Sequence, residues 1–318
     1  MKDKKIFIAG HRGMVGSAVF KKLKSLGYTN IITRTRVQLD LLDSQRVQHF
    51  FCREKPDIVI LCAAKVGGIL SNNTYRGDFI YENLMISSNI IKASQKTKVN
   101  KLINLGSSCI YPKEPPLPIR EEAILSGPLE YTNEPYAVAK IAALKMCESF
   151  HKQYGSNFYS LMPCNLYGPR DNFDLESSHV LPALINKIHC AKEKGASSVQ
   201  VWGTGRPLRE FLYVEDLANA ISLCIENIDA KDIYSQNISH LNCGSGEEVS
   251  IKELANIIKS VVEFNGHLSF DSSKPDGTFR KKMDSSRMLK KGFKPKTNLR
   301  EGIQKTYEWF IKNRKENC

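Results

Sequence analysis

The sequence has no run of about 18 uncharged apolar residues, the length that a membrane-spanning helix needs. Its first residues, MKDKKIFIAG, enter a strand pattern directly, with no apolar stretch ahead of a cleavage site, so neither secretion nor membrane insertion is expected. No CxxC pair occurs among the 9 cysteines, which removes the usual zinc and dithiol motifs, and no metal site is predicted. Scattered among apolar neighbours, the cysteines read as reduced packing thiols of a cytoplasmic protein. Internal repeats, low-complexity tracts and a long linker are missing too. Acidic residues are scarce beside basic ones, 33 against 46, and the formal charge of +13 implies surfaces that attract anions. Charge alone does not separate nucleic acid, acidic lipid and phosphorylated small molecules, and the lysines at 21–22, 290–291 and 312–315 read as solvated faces.

What is present is an alternation. Apolar runs of strand length stand at 6–9, 30–33, 58–62, 102–106 and 158–162, with helical patterns at 15–26, 44–53, 75–95 and 135–154 between them. The runs are apolar throughout, as parallel strands covered by helices on both faces require. This predicts an α/β fold, a Rossmann doubly wound parallel sheet over residues 1–168, with a returning segment near 211–243. Over 169–318 the rhythm loosens into helices at 180–194, 214–226, 250–263 and 299–313 and a strand at 199–202. That half predicts a smaller, mixed α/β lobe with a discontinuous boundary.

After the first strand stands Gly10-His11-Arg12-Gly13-Met14-Val15-Gly16, a GxxGxxG turn that opens a helix. Small residues let such a turn bring a dinucleotide's pyrophosphate onto the helix N-terminus, where unpaired N–H groups and the dipole favour negative charge. An NAD site places a carboxylate at the end of the second strand, but here that end reads Ile32-Thr33-Arg34-Thr35-Arg36. Two arginines without a carboxylate suit a 2′-phosphate, and Arg12 can reach the same group, so the predicted cofactor is NADP. The bland alternative is that Arg34 and Arg36 are surface charges.

Tyr136 and Lys140 stand one helical turn apart on one face. A phenol with a pKa near 10 is a poor acid or base at neutral pH unless a positive charge stabilises its phenolate, and Lys140 supplies one. Ser107 follows the fourth strand, and carboxyl ends of strands are where open α/β sheets bind ligands. Hydride addition to a carbonyl leaves an alkoxide, for which Tyr136 is a proton donor and Ser107 a second hydrogen bond. Together the three predict a ketone-reducing centre.

These motifs together resemble the extended short-chain dehydrogenase/reductase family, nearly end to end. The likeness rests on 7–17 (FIAGHRGMVGS), 63–69 (AAKVGGI), 105–112 (LGSSCIYP), 132–137 (TNEPYA), 165–169 (NLYGP) and 274–278 (KPDGT). Within the family it points to enzymes of GDP-linked 4-keto-6-deoxy sugars. The resemblance implies a reaction in which GDP-4-keto-6-deoxy-D-mannose is epimerised at C3 and C5 and then reduced at C4 by NADPH. It further implies a homodimer, built by packing the segments 75–95 and 135–154 of two copies into a four-helix bundle, with no nucleic-acid or membrane partner. The first lobe is then the NADP-binding domain and the second the nucleotide-sugar-binding domain.

On the same ground, Cys109 and His179 fall at the positions of the acid/base pair for the two inversions. In an extended chain Cys109, two residues beyond Ser107, faces the same pocket. Cofactor contacts implied are Gly10 to Gly16, Arg36, Leu41, Leu105, Gly106, Ser108, Lys140, Pro163, Asn165, Leu166 and His179. Substrate contacts implied are Lys187, Trp202, Arg209, Asp276 and Lys281. Two features depart from the family pattern. Lys187 replaces an arginine, keeping charge but losing bidentate geometry, and the proline-rich segment 113–131 precedes the tyrosine. Two other readings stay open. One is a C4 reductase of a related GDP-4-keto sugar, such as a GDP-4-keto-6-deoxy-heptose of capsule or lipopolysaccharide synthesis, without epimerisation. The other is a non-catalytic dinucleotide sensor, which has no use for Ser107, Tyr136 and Lys140.

Overall fold

A computed structural model describes residues 1–175, 177–274 and 276–314. Pro275 of the KPDGT segment, Lys315 and Cys318 lie outside the described residues. The chain begins with β1 (Ile6–Ala9), α1 (Met14–Ser25), β2 (Ile31–Ile32), α2 (Ser44–Glu54), β3 (Ile58–Leu61), α3 (Ile69–Thr74), α4 (Arg76–Lys96), β4 (Lys101–Leu105), α5 (Glu134–Tyr154) and β5 (Phe158–Pro163). It continues with β6 (Asn165–Tyr167), α6 (Val180–Glu193), β7 (Ser198–Trp202), β8 (Leu208–Tyr213), α7 (Val214–Asn227), α8 (Ala230–Tyr234) and β9 (His240–Cys243). The last elements are β10 (Glu248–Ser250), α9 (Ile251–Val262), β11 (His267–Asp271), β12 (Arg280–Lys281), α10 (Ser286–Lys290) and α11 (Leu299–Asn313).

Six parallel strands form the main sheet in the order β2-β1-β3-β4-β5-β9. Every residue of β1, β3, β4 and β5 is buried, which is why these strands read as continuous apolar runs. Alternate side chains serve opposite faces: Ile6, Ile60, Ile103 and Leu161 join the core that includes α1 and α7, whereas Phe7, Val59 and Leu102 join that of α2, α4 and α5. A third core gathers α6, α9 and α11 around Leu184, Ile188, Leu254, Ile258 and Phe310. Over this core lie the short sheets β10-β8-β12, with β6 beside β8, and β11-β7.

The helix expected over 75–95 forms as α4, and two features go beyond expectation. The short helix α3 runs up to α4 and meets it at Tyr75, whose φ of −105° and ψ of 42° keep the two apart. The edge strand β9 reads His-Leu-Asn-Cys and is fully buried, because its polar groups are satisfied. His240 lies between the Tyr111 hydroxyl at 2.6 Å and the Ser239 hydroxyl at 3.0 Å, while Asn242 donates to the Ile119 and Asp284 carbonyls at 3.0 and 3.2 Å. Burial lowers the His240 pKa to about 3, so the ring is neutral and ties the 111–123 segment to the sheet edge.

Candidate active site

Strand order reverses between β1 and β3, and the glycine turn sits at that switch point. Gly10 has φ +89°, and a Cβ there would stand 2.7 Å from the Ala63 nitrogen, so the ends of β1 and β3 close on each other only around glycine. A Cβ at Gly16 would collide with the Gly10 carbonyl. Gly13 differs: it is exposed, it caps α1, and a Cβ there would meet only the Gly10 carbonyl at 3.6 Å. Packing within the protein does not demand glycine at 13; the close approach of a phosphate would. α1 has no side-chain cap and no acidic residue in its first turn, so its leading N–H groups stay open to an anion.

Arg12 and Arg36 are exposed, and among the described residues neither makes an ion pair or side-chain hydrogen bond. Arg34 is committed elsewhere: it pairs with Glu54 at 2.8 Å, donates to the Thr33 carbonyl at 2.8 Å and lies 5.4 Å from the Phe50 ring centre. A 2′-phosphate reading therefore rests on Arg12 and Arg36. His11, next to Arg12, is held below its usual pKa by burial and by the charges of Arg12 and Arg170, which leaves its ring neutral at pH 7.

At the end of β4, Gly106 donates to the Leu161 carbonyl at 2.8 Å, and any Cβ there would collide with the Met162 sulfur. Ser107 is extended, with φ −157° and ψ 148°, but the chain then turns through a 3₁₀ segment, Ser108–Ile110. The extended path once expected through Cys109 is not formed. Instead the Cys109 N–H donates to the Ser107 hydroxyl at 3.4 Å, and the turn folds the thiol back beside it. From α5, Tyr136 sets its half-buried ring against the edge of Phe79 at 6.5 Å. Lys140 is only 3% exposed; its ammonium donates to the Leu105 carbonyl at 2.8 Å and sits 5.7 Å from the Tyr136 ring centre.

Burial pulls Lys140 down to about 8, against the opposing influence of the Cys109 and Cys62 thiols, so it is mostly charged at pH 7. Burial and the Cys109 thiol push the Tyr136 phenol up. The phenol is therefore protonated at neutral pH, with the ammonium of Lys140, anchored on β4, on the same helix face. Burial also raises Cys109, while Lys281, Ser107 and Lys140 oppose it.

Lys281 reaches the thiol from β12, where it pairs in register with Arg209 of β8. Burial lowers both cations; Asp276 opposes this at Arg209, while Arg209 adds to it at Lys281. Both oxygens of Asp276 are occupied by Thr204, accepting from its N–H at 2.6 Å and its hydroxyl at 2.7 Å, so this carboxylate closes the turn after β7. Trp202 is 65% exposed, with the Lys274 ammonium 5.7 Å from its ring centre. Lys187, half-buried on α6, is lowered by burial. His179 caps α6 with φ −78° and ψ 166°; the residue as a whole is exposed, yet burial of its imidazole holds its pKa below 6.5. Ser107, Cys109, Tyr136 and Lys140 thus stand together at the end of β4, Lys281 is near enough for its charge to act on the Cys109 thiol, Arg209 is beside Lys281, and His179, Lys187 and Trp202 are presented by separate elements. Among the remaining candidates, Pro163 closes β5, Leu166 pairs with Leu212, Asn165 donates to the Glu210 carbonyl at 2.8 Å, and the Leu41 carbonyl accepts from Asn89 at 2.9 Å.

Residues 6–244 match the NAD dependent epimerase/dehydratase family. The chain belongs to this family. Among curated relatives, the probable GDP-L-fucose synthase 1 of Oryza sativa subsp. japonica is 55% identical, over 98% of this chain and 93% of its own length. The GDP-L-fucose synthase of Escherichia coli strain K12 is 50% identical over 98% of both chains. Among solved structures, a GDP-mannoheptose C4 reductase from Campylobacter jejuni with NADP bound superposes with a TM-score of 0.90 at 41% identity, over 98% of this chain and 99% of that one.

Within this epimerase/dehydratase frame, two contributors escaped the sequence reading. Cys62 follows β3, and its thiol, raised by burial to about 12, lies close enough to Lys140 to be influenced by it. Glu210 is fully buried on β8 and accepts from the Gly246 N–H at 2.7 Å and the Met283 N–H at 3.1 Å, pinning the strands that carry Arg209 and Lys281. The signal available was one carboxylate within the otherwise apolar run Glu210-Phe211-Leu212-Tyr213. Among the described residues no group of three or more His, Cys, Asp or Glu is placed to hold a metal, and no helix is long and apolar enough to cross a membrane.

Proposed function

We propose that this chain converts GDP-4-keto-6-deoxy-D-mannose to GDP-L-fucose, inverting C3 and C5 and then reducing C4, with NADP as its cofactor. The observation that carries the reading is the Cys109 thiol lying within the group formed by Ser107, Tyr136 and Lys140. Reduction alone uses the hydroxyls and the lysine. A second proton carrier in the same group gains a use when the hydrogens made acidic by the C4 carbonyl are exchanged.

The hydroxyls of Ser107 and Tyr136 hold the C4 oxygen. When a C3 or C5 hydrogen leaves as a proton, its bonding electrons form the enolate double bond and the charge moves to that oxygen, where the two donors and Lys140 stabilise it. Cys109 is pushed up and His179 pushed down, so both rest neutral and share one transferable proton. One takes the proton from carbon; the other returns one to the opposite face. Lys281 beside the thiol favours its thiolate form. In the last stage Tyr136 gives its phenolic proton to the C4 oxygen, and Lys140 offsets the phenolate left behind. Gly10, His11, Arg12, Gly13, Met14, Val15, Gly16 and Arg36, with Leu41, Leu105, Gly106, Ser108, Lys140, Pro163, Asn165, Leu166 and His179, would hold the nicotinamide cofactor, which when bound supplies the hydride for C4.

The cations Lys187, Arg209 and Lys281 suit a GDP pyrophosphate, and exposed Trp202 suits the base, with Asp276 shaping the adjoining turn. Cofactor and nucleotide sugar are thereby divided between the large sheet and the smaller lobe. A homodimer through α4 and α5 is supported by their packing side by side with Tyr81 and Val138 left exposed. A cytoplasmic setting is supported by the free thiols of Cys52, Cys62, Cys109, Cys147, Cys164, Cys224 and Cys243, while Cys190 is disulfide-bonded and departs from the expectation of reduced thiols.

The likeness to the heptose C4 reductase favours a second reading, reduction of a GDP-4-keto-heptose without inversion. Incubation with GDP-4-keto-6-deoxy-D-mannose in deuterated buffer without NADPH separates the two. Deuterium at C3 and C5 is expected; its absence, together with efficient reduction of the keto-heptose, would overturn the first reading.

A further inference from the structure

The loop after β3 ends in Gly67 and Gly68, and there it meets the segment that presents His179. The Gly68 N–H donates to the Ser177 carbonyl at 2.7 Å. A Cβ at Gly68 would stand 2.5 Å from the Ser178 carbonyl oxygen and 3.2 Å from that of Ser177. Gly68 has φ −69° and ψ −177°, a conformation open to any residue, so the backbone turn does not call for glycine. What calls for it is the approach of the 177–178 backbone onto its bare Cα.

Both partners at this seam are built to stay in place. Asn72, buried on α3, donates to the Gly67 carbonyl at 2.6 Å and the Gly68 carbonyl at 3.0 Å. Asn83, buried on α4, accepts from the Lys65 N–H at 2.9 Å and donates to the Lys65 carbonyl at 3.0 Å. Opposite them, the Ser177 N–H donates to the Asp174 carboxylate at 2.8 Å and the Ser178 N–H to the Asp174 carbonyl at 3.0 Å, so Asp174 holds the Ser177 and Ser178 backbone that meets Gly68. The next residue is His179, whose side chain makes no capping bond to α6.

We infer that Gly68 is a positioning residue for His179: its missing side chain seats the 177–178 backbone and so sets where the imidazole stands for proton transfer at C3 and C5. This rests on the proposed role of His179 in inversion. A displacement of about 1 Å at a reacting group is enough for a loss of the order of 100-fold. Tyr136 and Lys140 are carried by α5, and Lys140 is anchored on β4, so the reducing groups do not take their backbone from the seam, and at saturating NADPH a changed cofactor contact at His179 does not enter the reduction rate.

The test uses the full-length protein and two assays. Deuterium uptake at C3 and C5 without NADPH reports inversion. NADPH oxidation with the doubly inverted ketone, made beforehand by wild-type protein and freed of it, reports reduction. Gly68→Ala is expected to lose about 10- to 100-fold in uptake with reduction within about twofold of wild type. Wild-type uptake, or equal loss in both assays, overturns the inference. If the alanine protein does not fold, Asn72→Ala decides in its place, because it frees the glycine carbonyls without adding an atom: selective loss of uptake supports the seam, and wild-type uptake overturns it. His179→Gln run in parallel keeps the two ideas apart. Wild-type uptake in that variant removes the role of His179 itself, and with it the inference. Lost uptake there beside wild-type uptake in Gly68→Ala removes the seam alone.

Discussion

Cys109 and His179 stand in opposite kinds of surroundings. On the β4–α5 side each side chain is fixed by buried contacts: the Cys109 turn on Ser107, Lys140 on the Leu105 carbonyl, the Tyr136 ring on Phe79. On the α6 side His179 is exposed, and its place is set through the backbone at Gly68. In the proposed reaction, the contrast teaches that the group aligning a carbonyl for reduction is built into the sheet, at the expense of burying a charge, while the group opposite is carried by a loop at the head of α6.

The largest expected effect comes from breaking the fixed side. Tyr136→Phe removes the phenolic proton while keeping the ring against Phe79. Reduction should fall about 1,000-fold, the range for loss of a positioned general acid, whereas deuterium uptake at C3 and C5 should fall about tenfold, since Ser107 still holds the enolate oxygen. Steady-state NADPH oxidation and NMR-detected exchange on one preparation decide it. Equal losses would mean that the fixed side and the inverting pair are not separable.

A second test of that side reads stability. Burial holds Lys140 at about 8, against 10.5 when unperturbed, a difference worth about 3 kcal/mol against the folded state wherever the lysine is charged in both states. The sign follows from the protons. Below about pH 8 both states carry the proton and the penalty is complete. Between about 8 and 10.5 only the unfolded chain carries it, so stability rises with pH relative to a variant without the group. Lys140→Met should therefore stabilise the cofactor-free protein by up to about 3 kcal/mol at pH 7, with the advantage shrinking toward pH 10, while abolishing reduction. Urea unfolding at pH 7 and pH 9.5 measures this. A destabilised Met variant at both pH values would show that the ammonium's bond to Leu105 outweighs its burial.

The two sides were also unequally legible. Tyr136 and Lys140 are four residues apart on one helix, and β1, β3, β4 and β5 announce themselves as apolar runs because helices cover both faces. β8 and β9 did not, since Glu210, His240 and Asn242 are polar residues whose partners lie far away in sequence. Arg34 looked like a phosphate ligand until Glu54, twenty residues on, claimed it. Cys109 was expected on an extended strand, but the chain bends into a 3₁₀ turn right after Ser107. The Gly68 seam joins residues over a hundred positions apart through backbone atoms alone, and a carbonyl pressed against a bare Cα leaves no side-chain pattern beyond the glycine itself.

Gly13 gives the smallest effect and the sharpest contrast with Gly68. Both have ordinary backbone angles, φ −73° at Gly13 and −69° at Gly68, so neither glycine is explained by conformation. At Gly68 protein atoms crowd the missing side chain; at Gly13 a Cβ would touch only the Gly10 carbonyl, at an ordinary 3.6 Å. If glycine at 13 serves an approaching pyrophosphate, Gly13→Ala should melt at the temperature of the wild-type protein and weaken NADPH binding about tenfold, or 1.4 kcal/mol. Alanine in place of glycine at the head of a helix restricts the unfolded chain slightly, so a small rise in melting temperature is compatible with this. Fluorescence titration with NADPH and a thermal melt on one sample separate the causes. An unchanged affinity with a lowered melting temperature would place the purpose of Gly13 in the protein's own packing, and would make the two glycines alike after all.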